Sequence, residues 1–208
     1  MFLFQLSNLE VIAWIVGFLV ALSVHEAAHA AAAAYLGDPT AKWAGRVTLN
    51  PLRHLDPVGT VMLLFAGFGW GRPVPINSNN FANPKTGEML TAIAGPLANF
   101  TVALALAIPH NLLTPGSAAF IFVQNVMFVN IVIMVFNLLP VPPLDGGGAI
   151  ASFLPPRLAV PYRQYGPLVL FGLIGFDWIF HTSILWGILG KLINIVFAAI
   201  NLSTTFSA

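Results

Sequence analysis

The sequence contains no cysteine and very little charge of either sign. The lack of thiols excludes disulfides, thiolate nucleophiles and cysteine-type zinc sites. Only 7% of the 208 residues are Asp, Glu, Lys or Arg, whereas a soluble domain carries about 25%. The net charge of +1 provides no electrostatic footprint for nucleic acid. With 58% hydrophobic residues, the composition indicates a protein embedded in a lipid bilayer.

Long apolar runs predict an all-α polytopic membrane protein, a bundle of about five to six transmembrane helices. The predicted apolar segments are 8–36, 83–108, 117–139, 165–175 and 178–200, with Asp177 as a turn between the last two. We expect one membrane-embedded domain over 1–208. Its core would span about 8–154, and its C-terminal helices about 160–201.

One apolar stretch is too short to cross a membrane. Residues 59–70 are apolar but contain three glycines, and a span needs about 20 residues. The next residues, 72–77, contain two prolines and are predicted to be extended; a short strand is also predicted at 46–49. Segment 59–77 is therefore predicted to be a re-entrant or β-like element, and a plain connecting loop is an equally good interpretation.

The first predicted helix carries an H-E-x-x-H motif formed by His25, Glu26 and His29. Two histidines four residues apart lie on one face of a helix, so both imidazoles can reach one metal ion. Glu26 lies about 100° away around the helix, where it can act on a water without being a ligand. Ionisable residues at bilayer depth are costly, which favours a catalytic site over a pair of core histidines.

A catalytic zinc site needs a third protein ligand. Asp145, in a Pro/Gly-rich loop, is the strongest candidate, although Asp there could also cap the helix that follows. His54 is the second candidate, and a solvated loop histidine is its simpler interpretation. The remaining carboxylates are better explained as turn residues, Asp38 and Asp56, or as a helix first-turn charge, Glu88.

Three motifs together resemble the site-2 protease family of intramembrane zinc metalloproteases. They are His25-Glu26-Ala27-Ala28-His29, Gly95-Pro96-Leu97-Ala98-Asn99 and Asn137-Leu138-Leu139-Pro140-Val141-Pro142-Pro143-Leu144-Asp145-Gly146. The third stretch matches the family pattern N-x-x-P-x-P-x-L-D-G at every fixed position. The family's accessory PDZ and cystathionine-synthase-type domains have no counterpart here, so the chain resembles a minimal member.

The resemblance implies one Zn²⁺ bound by His25, His29 and Asp145, with Glu26 as general base and Asn137 near the reaction centre. An interhelical hydrogen bond is an equally good interpretation of Asn137, and Asn99 is more simply structural. The implied activity is hydrolysis of peptide bonds within or near transmembrane segments, in regulated intramembrane proteolysis. The implied substrates are single-pass transmembrane proteins.

Basic residues predict the orientation of the chain. They cluster in two segments, 37–84 and 140–163, whereas the predicted loop at 111–116 has none. The positive-inside rule places the two basic segments in the cytoplasm. His25 and Asp145 then both lie toward the cytoplasmic side of what we expect to be a prokaryotic cell membrane.

Two other functions remain open from the residues alone. Two histidines and a carboxylate also form the facial triad of non-haem iron enzymes, so a membrane oxidase is an alternative. A carrier or chaperone-like protein with a structural metal site is another. Glu26, placed between the two histidines, favours the hydrolase, because neither alternative needs a base there.

Overall fold

The computed structural model describes residues 7–66 and 69–200, which form eight α-helices and no β-strand. The helices are α1 (Asn8–Tyr35), α2 (Thr40–Trp43), α3 (Pro57–Ala66), α4 (Pro84–Leu112), α5 (Ala118–Asn137), α6 (Asp145–Ala151), α7 (Pro156–Phe180) and α8 (Ile184–Ala199). This confirms the all-α membrane class. The strand predicted at 46–49 is wrong.

Fewer helices are long and apolar enough to cross a membrane than the five to six we expected. Over the described ranges these helices are α1, α4 and α5, and a fourth span is possible if α7 and α8, which meet at a 107° bend, count as one. The difference arises at the C-terminal end, because the predicted segments 165–175 and 178–200 fall in α7 and α8, which together count as at most one bent span.

Helices α1, α4 and α5 pack against one another and form the centre of the bundle. Small residues make this possible: Ala13 and Ala21 of α1 are fully buried, and a Cβ on Gly17 would lie 3.1 Å from the Cα of Val126 in α5. Because lipid is as apolar as a leucine side chain, close backbone packing rather than the hydrophobic effect holds such helices together.

The C-terminal helices complete the core. Leu185, Leu189 and Phe197 of α8 pack with Met127 and Ile131 of α5 in one buried cluster.

The turn between the C-terminal helices lies after Asp177. The Asp177 carboxylate, near the end of α7, accepts hydrogen bonds from the backbone N–H groups of Ile184 (3.1 Å) and Leu185 (2.8 Å), at the start of α8. Asp177 therefore caps α8 from within α7, and the chain turns at 181–183.

The segment after α2 turns back on itself beside α1. An isolated antiparallel bridge between Leu55 and Gly71 flanks helix α3, and the Arg72 N–H donates to the His54 carbonyl at 2.7 Å. A Cβ on Gly59 would lie 2.9 Å from the backbone nitrogen of Trp70. The start of α3 therefore lies against residues 70–71, and the re-entrant interpretation of the segment stays a prediction.

Asp38 anchors this region to the end of α1. It is fully buried and accepts hydrogen bonds from the Asn77 N–H and the Asn80 side chain, both at 2.7 Å, and from Thr40. Burial alone raises the pKa of Asp38, but these hydrogen bonds outweigh it and hold the pKa below its usual value. The interpretation of Asp38 as a turn residue agrees with this geometry.

We expect Asp38→Asn to lower the stability of the protein by about 1–3 kcal/mol, because charge-assisted hydrogen bonds are lost. A carboxylate with a depressed folded-state pKa stabilises the protein above its unfolded pKa, about 3.9. That contribution is lost as the pH falls through the lower folded-state pKa. Melting temperatures in detergent from pH 7 to pH 3 should therefore converge for variant and wild type at acidic pH. A constant difference between them would contradict this account.

Candidate metal centre

Helix α1 presents both histidines to the interior of the bundle. His25 and His29 are 4% and 7% exposed, and their rings contact edge to face with centroids 4.6 Å apart. Glu26 is the next residue of α1 after His25, and its side chain is partly exposed. The helical spacing of the motif thus places the side chains as the sequence predicts.

Asp145 reaches the two histidines from the start of α6. Its Oδ2 lies 3.0 Å from the Nε2 of His25 and 3.3 Å from the Nε2 of His29. Asp145 is the first residue of α6, and the N-cap is Leu144; the carboxylate is thus not used as a cap. A Cβ on Gly146 would lie 2.7 Å from the Leu139 carbonyl oxygen, so the loop can fold this tightly only with glycine there.

The three side chains fit a zinc ion. Their ligand atoms lie within 4.8 Å of one another. Zinc–ligand bonds of about 2.0–2.1 Å in a tetrahedron give ligand–ligand separations of about 3.3 Å, close to the two Nε2–Oδ2 distances. Moreover, Asp145 Oδ2 is buried and has no hydrogen-bond partner. A buried carboxylate oxygen without a partner is costly, and a metal ion would satisfy it.

The second ring nitrogen of each histidine, Nδ1, is hydrogen-bonded to an oxygen atom. The Nδ1 of His25 lies 2.6 Å from the Asn99 Oδ1, and the Nδ1 of His29 lies 2.6 Å from the Thr91 carbonyl oxygen. Both acceptors place the ring proton on Nδ1 and leave Nε2 free to bind a metal. The Asn99 amide in turn donates to the Ala21 carbonyl and to Asn130. Asn99 is therefore a positioning residue, a role that its placement in the second motif did not reveal.

Gly95 of α4 gives the histidine rings their space. A Cβ at this position would lie 2.6 Å from the Cε1 of His29 and 2.8 Å from the Cε1 of His25. Such distances are far below van der Waals contact. Close approach of the two histidine rings therefore explains why the second motif has a glycine at this position.

We expect Gly95→Ala to displace the histidine rings, since overpacking a tight site costs about 1–3 kcal/mol. Zinc affinity should fall about 10- to 100-fold, the loss seen when groups that orient metal ligands are perturbed. Zinc content after dialysis against a competing chelator measures this. Gly172→Ala is the matched control, because a Cβ there meets nothing within 4 Å. Equal zinc retention in both variants would contradict the steric role.

Two other predicted residues lie nearby with different contacts. Asn137 donates its amide to the Ile133 carbonyl of its own helix at 2.9 Å and lines the same cavity as Glu26. His54 is fully buried, and its Nε2 lies 2.8 Å from the Thr48 carbonyl oxygen. In the described part of the chain, the group able to hold a metal consists of His25, His29 and Asp145 and does not include His54.

A cavity of about 760 Å³ opens onto the centre. Glu26 and Asp145 lie on its wall, together with most residues of segment 69–76. Apolar residues of α1, α5, α7 and α8 form much of the remainder, among them Phe18, Val132, Phe171 and Leu189. The cavity thus joins the polar groups of the candidate metal centre to a large apolar surface.

Several curated proteins are similar to this chain. "Putative zinc metalloprotease YwhC" of Bacillus subtilis is 39% identical over 187 residues, which cover 84% of each chain. "Putative zinc metalloprotease Rip2" of Mycolicibacterium smegmatis is 32% identical over 166 residues, 75% of this chain and 64% of that protein. "Zinc metalloprotease MJ0392" of Methanocaldococcus jannaschii is 31% identical over 71 residues, 34% of this chain and 21% of that protein. No family model matches the chain, and no solved structure matches it.

Proposed function

Because the chain belongs to the zinc metalloprotease family of these relatives, with the motifs of the site-2 proteases, we propose that it is an intramembrane protease. Its reaction is hydrolysis of peptide bonds within or near transmembrane segments of other membrane proteins. The observation that carries the proposal is the position of His25 and His29, buried in α1, which is long and apolar enough to span a membrane.

The proposed ligands of the zinc are His25, His29 and Asp145. When bound there, zinc makes a water nucleophilic near neutral pH and polarises the substrate carbonyl. Glu26 accepts the proton of the attacking water and passes it to the leaving nitrogen. Asn99 and the Thr91 carbonyl hold the two imidazoles in orientation.

Asn137 is the proposed second donor to the oxyanion that develops on the substrate. An amide NH₂ has two hydrogens, and one is used on the Ile133 carbonyl. The other is available to a substrate oxygen in the cavity. We expect its contribution to be no larger than that of Glu26, because loss of one oxyanion donor costs about 10²–10³-fold and loss of a general base about 10²–10⁴-fold.

The substrate must unwind before cleavage, because a helical carbonyl is already hydrogen-bonded within its own helix. Val74 and Ile76 line the catalytic cavity, and within the described residues the backbone of neither takes part in a hydrogen bond. A segment with free backbone N–H and C=O groups can pair with an unwound substrate strand. This segment is the proposed substrate-binding edge.

We expect Val74→Pro to reduce cleavage by about tenfold, because one backbone donor of the edge is removed. Zinc content and melting temperature should stay near wild type, since that N–H bonds to nothing else among the described residues. Val74→Ala is the matched control: it shortens the side chain but keeps the N–H. Equal cleavage by both variants would show that residue 74 contributes no main-chain bond.

A cleavage assay in proteoliposomes tests the proposed function. Purified protein is reconstituted with a panel of single-pass helices, with and without a central helix-breaking residue, and products are sized by mass spectrometry. Cuts within the apolar segment, lost with a zinc chelator and restored by zinc, are expected. Substrates with a helix breaker should be cut faster, because unwinding then costs less. Restoration by iron and not zinc, or cuts confined to soluble tails, would contradict the proposal.

The proposed orientation places the zinc toward the cytoplasmic side. Basic residues near the helix ends support it, because Lys and Arg concentrate in cytoplasmic loops. Labelling of cysteines introduced at exposed Lys42 and at exposed Asn111 in intact cells would test it, because the chain has no native cysteine. Labelling at residue 42 by a reagent that cannot cross the membrane would contradict the proposed orientation, because it would place that loop outside the cell.

A further inference from the structure

Arg46 is a buried charge that the mechanism above does not use. It lies in the loop after α2 and is only 5% exposed. Its Nη1 donates to the Pro73 carbonyl at 3.0 Å, and its Nη2 donates to the Arg72 carbonyl. The same Nη2 lies 3.8 Å from the Glu26 Oε2. One guanidinium therefore contacts both segment 72–76 and the proposed base.

His54 completes the surroundings of the guanidinium. Its Nε2 contacts the Thr48 carbonyl, which can only accept, so the ring proton lies on Nε2 and Nδ1 is an acceptor. That Nδ1 lies 3.4 Å from the Arg46 Nη2, which can only donate. The His54 carbonyl also accepts from the Arg72 N–H. His54 is thus explained by its contacts with Arg46 and Arg72, away from the metal.

The backbone at Gly71, just before segment 72–76, comes very close to Glu26. A Cβ on Gly71 would lie 3.2 Å from the Glu26 Oε1 and 2.6 Å from the Leu22 Cδ1. No side chain can therefore separate the segment from α1 at this point. The planar, forked guanidinium of Arg46 can bind two carbonyls and still face a carboxylate, whereas a lysine ammonium is a single point charge.

We propose that Arg46 is a positioning residue that fixes the substrate-binding edge, residues 72–76, at a set distance from Glu26. The substrate strand is then held where the base can serve its scissile bond. This inference rests on the proposed function, since it assigns a role within the same site. A guanidinium that merely stabilised the loop would affect unfolding but leave the geometry of cleavage unchanged.

Kinetics of three variants test the proposal. Arg46→Ala is expected to lower kcat at least 30-fold while zinc content stays at wild-type level. Arg46→Lys keeps the charge but loses the fork, and should lower kcat at least tenfold. Arg53→Ala is the matched control, because it removes the same charge from the same loop at an exposed position, and it should lie within threefold of wild type. Millimolar guanidinium should restore part of the activity of Arg46→Ala and none to Arg53→Ala.

The absence of cysteine permits a second measurement that does not depend on cleavage. Val74→Cys introduces a single thiol on the edge, and its alkylation rate by a maleimide reports how firmly the segment is held. Adding Arg46→Ala should raise that rate at least tenfold, and adding Arg53→Ala should not. If no substrate is cut by wild type, the proposed function fails while alkylation still reports on Arg46.

Three results would overturn the role of Arg46. One is an alkylation rate unchanged by Arg46→Ala. Another is a kcat for Arg46→Ala within threefold of Arg53→Ala. The third is Arg46→Lys within threefold of wild type, which would show that charge alone suffices. Should Arg46→Ala prove unstable, Arg46→Lys decides the question, because it retains the buried charge.

Discussion

Glu26→Gln should abolish cleavage while the protein keeps its zinc. The amide has nearly the shape of the carboxylate but cannot accept the proton of the attacking water. General base catalysis contributes about 10²–10⁴-fold, and we expect a loss near the upper end, since Glu26 lines the cavity within one helical turn of both histidines. Single-turnover cleavage in proteoliposomes, with zinc measured on the same preparation, gives both numbers.

Glu88→Gln is the matched control for this variant. Glu88 lines the same cavity, but its carboxylate is paired with Arg163 at 2.6 Å and accepts from Ser78. The same chemical change there should alter the rate by less than tenfold. Turnover by Glu26→Gln within tenfold of wild type would show that Glu26 is not the base. Loss of zinc from this variant would show that Glu26 helps to hold the metal.

The helical part of the site could be predicted from the sequence because helix geometry is regular. The spacing of His25 and His29 determines that both rings share a face, and the structure places them together. Likewise, α1, α4 and α5 follow from long, mostly apolar runs, with ends within a few residues of those predicted. Asp145 was found through its loop position and the family pattern.

Contacts between distant elements could not be predicted, because they depend on tertiary packing. The Thr91 carbonyl that binds His29 is a backbone atom and leaves no trace in residue type. The sequence places Lys42, Arg46 and His54 in one polar segment but does not indicate which of them is buried. Arg46 lies buried against Glu26 only because the 69–76 segment returns to α1. Proline and glycine predicted that the segment is irregular, but not which backbone groups it leaves free.

Asp145→Ala should remove most of the zinc from the purified protein. The variant loses one of the three proposed ligands, and perturbing groups that merely orient ligands already costs about 10- to 100-fold in affinity. We therefore expect the zinc affinity to fall by more than about 100-fold. Helix α6 should still form, because the Asp145 side chain makes no capping hydrogen bond. Metal analysis after equilibration with a graded series of chelators measures the affinity.

His54→Ala is the decisive comparison, because His54 was the competing candidate for the third ligand. Its ring binds the Thr48 carbonyl and Arg46, so its removal should lower stability and disturb the edge segment without releasing zinc. Asp145→Asn adds a finer test, since an amide oxygen keeps the shape but is a much weaker zinc ligand than a carboxylate. Zinc loss in the order Asp145→Ala, Asp145→Asn, His54→Ala is expected. Greater loss from His54→Ala than from Asp145→Ala would reverse the assignment and require the loop after α2 to close over the histidines.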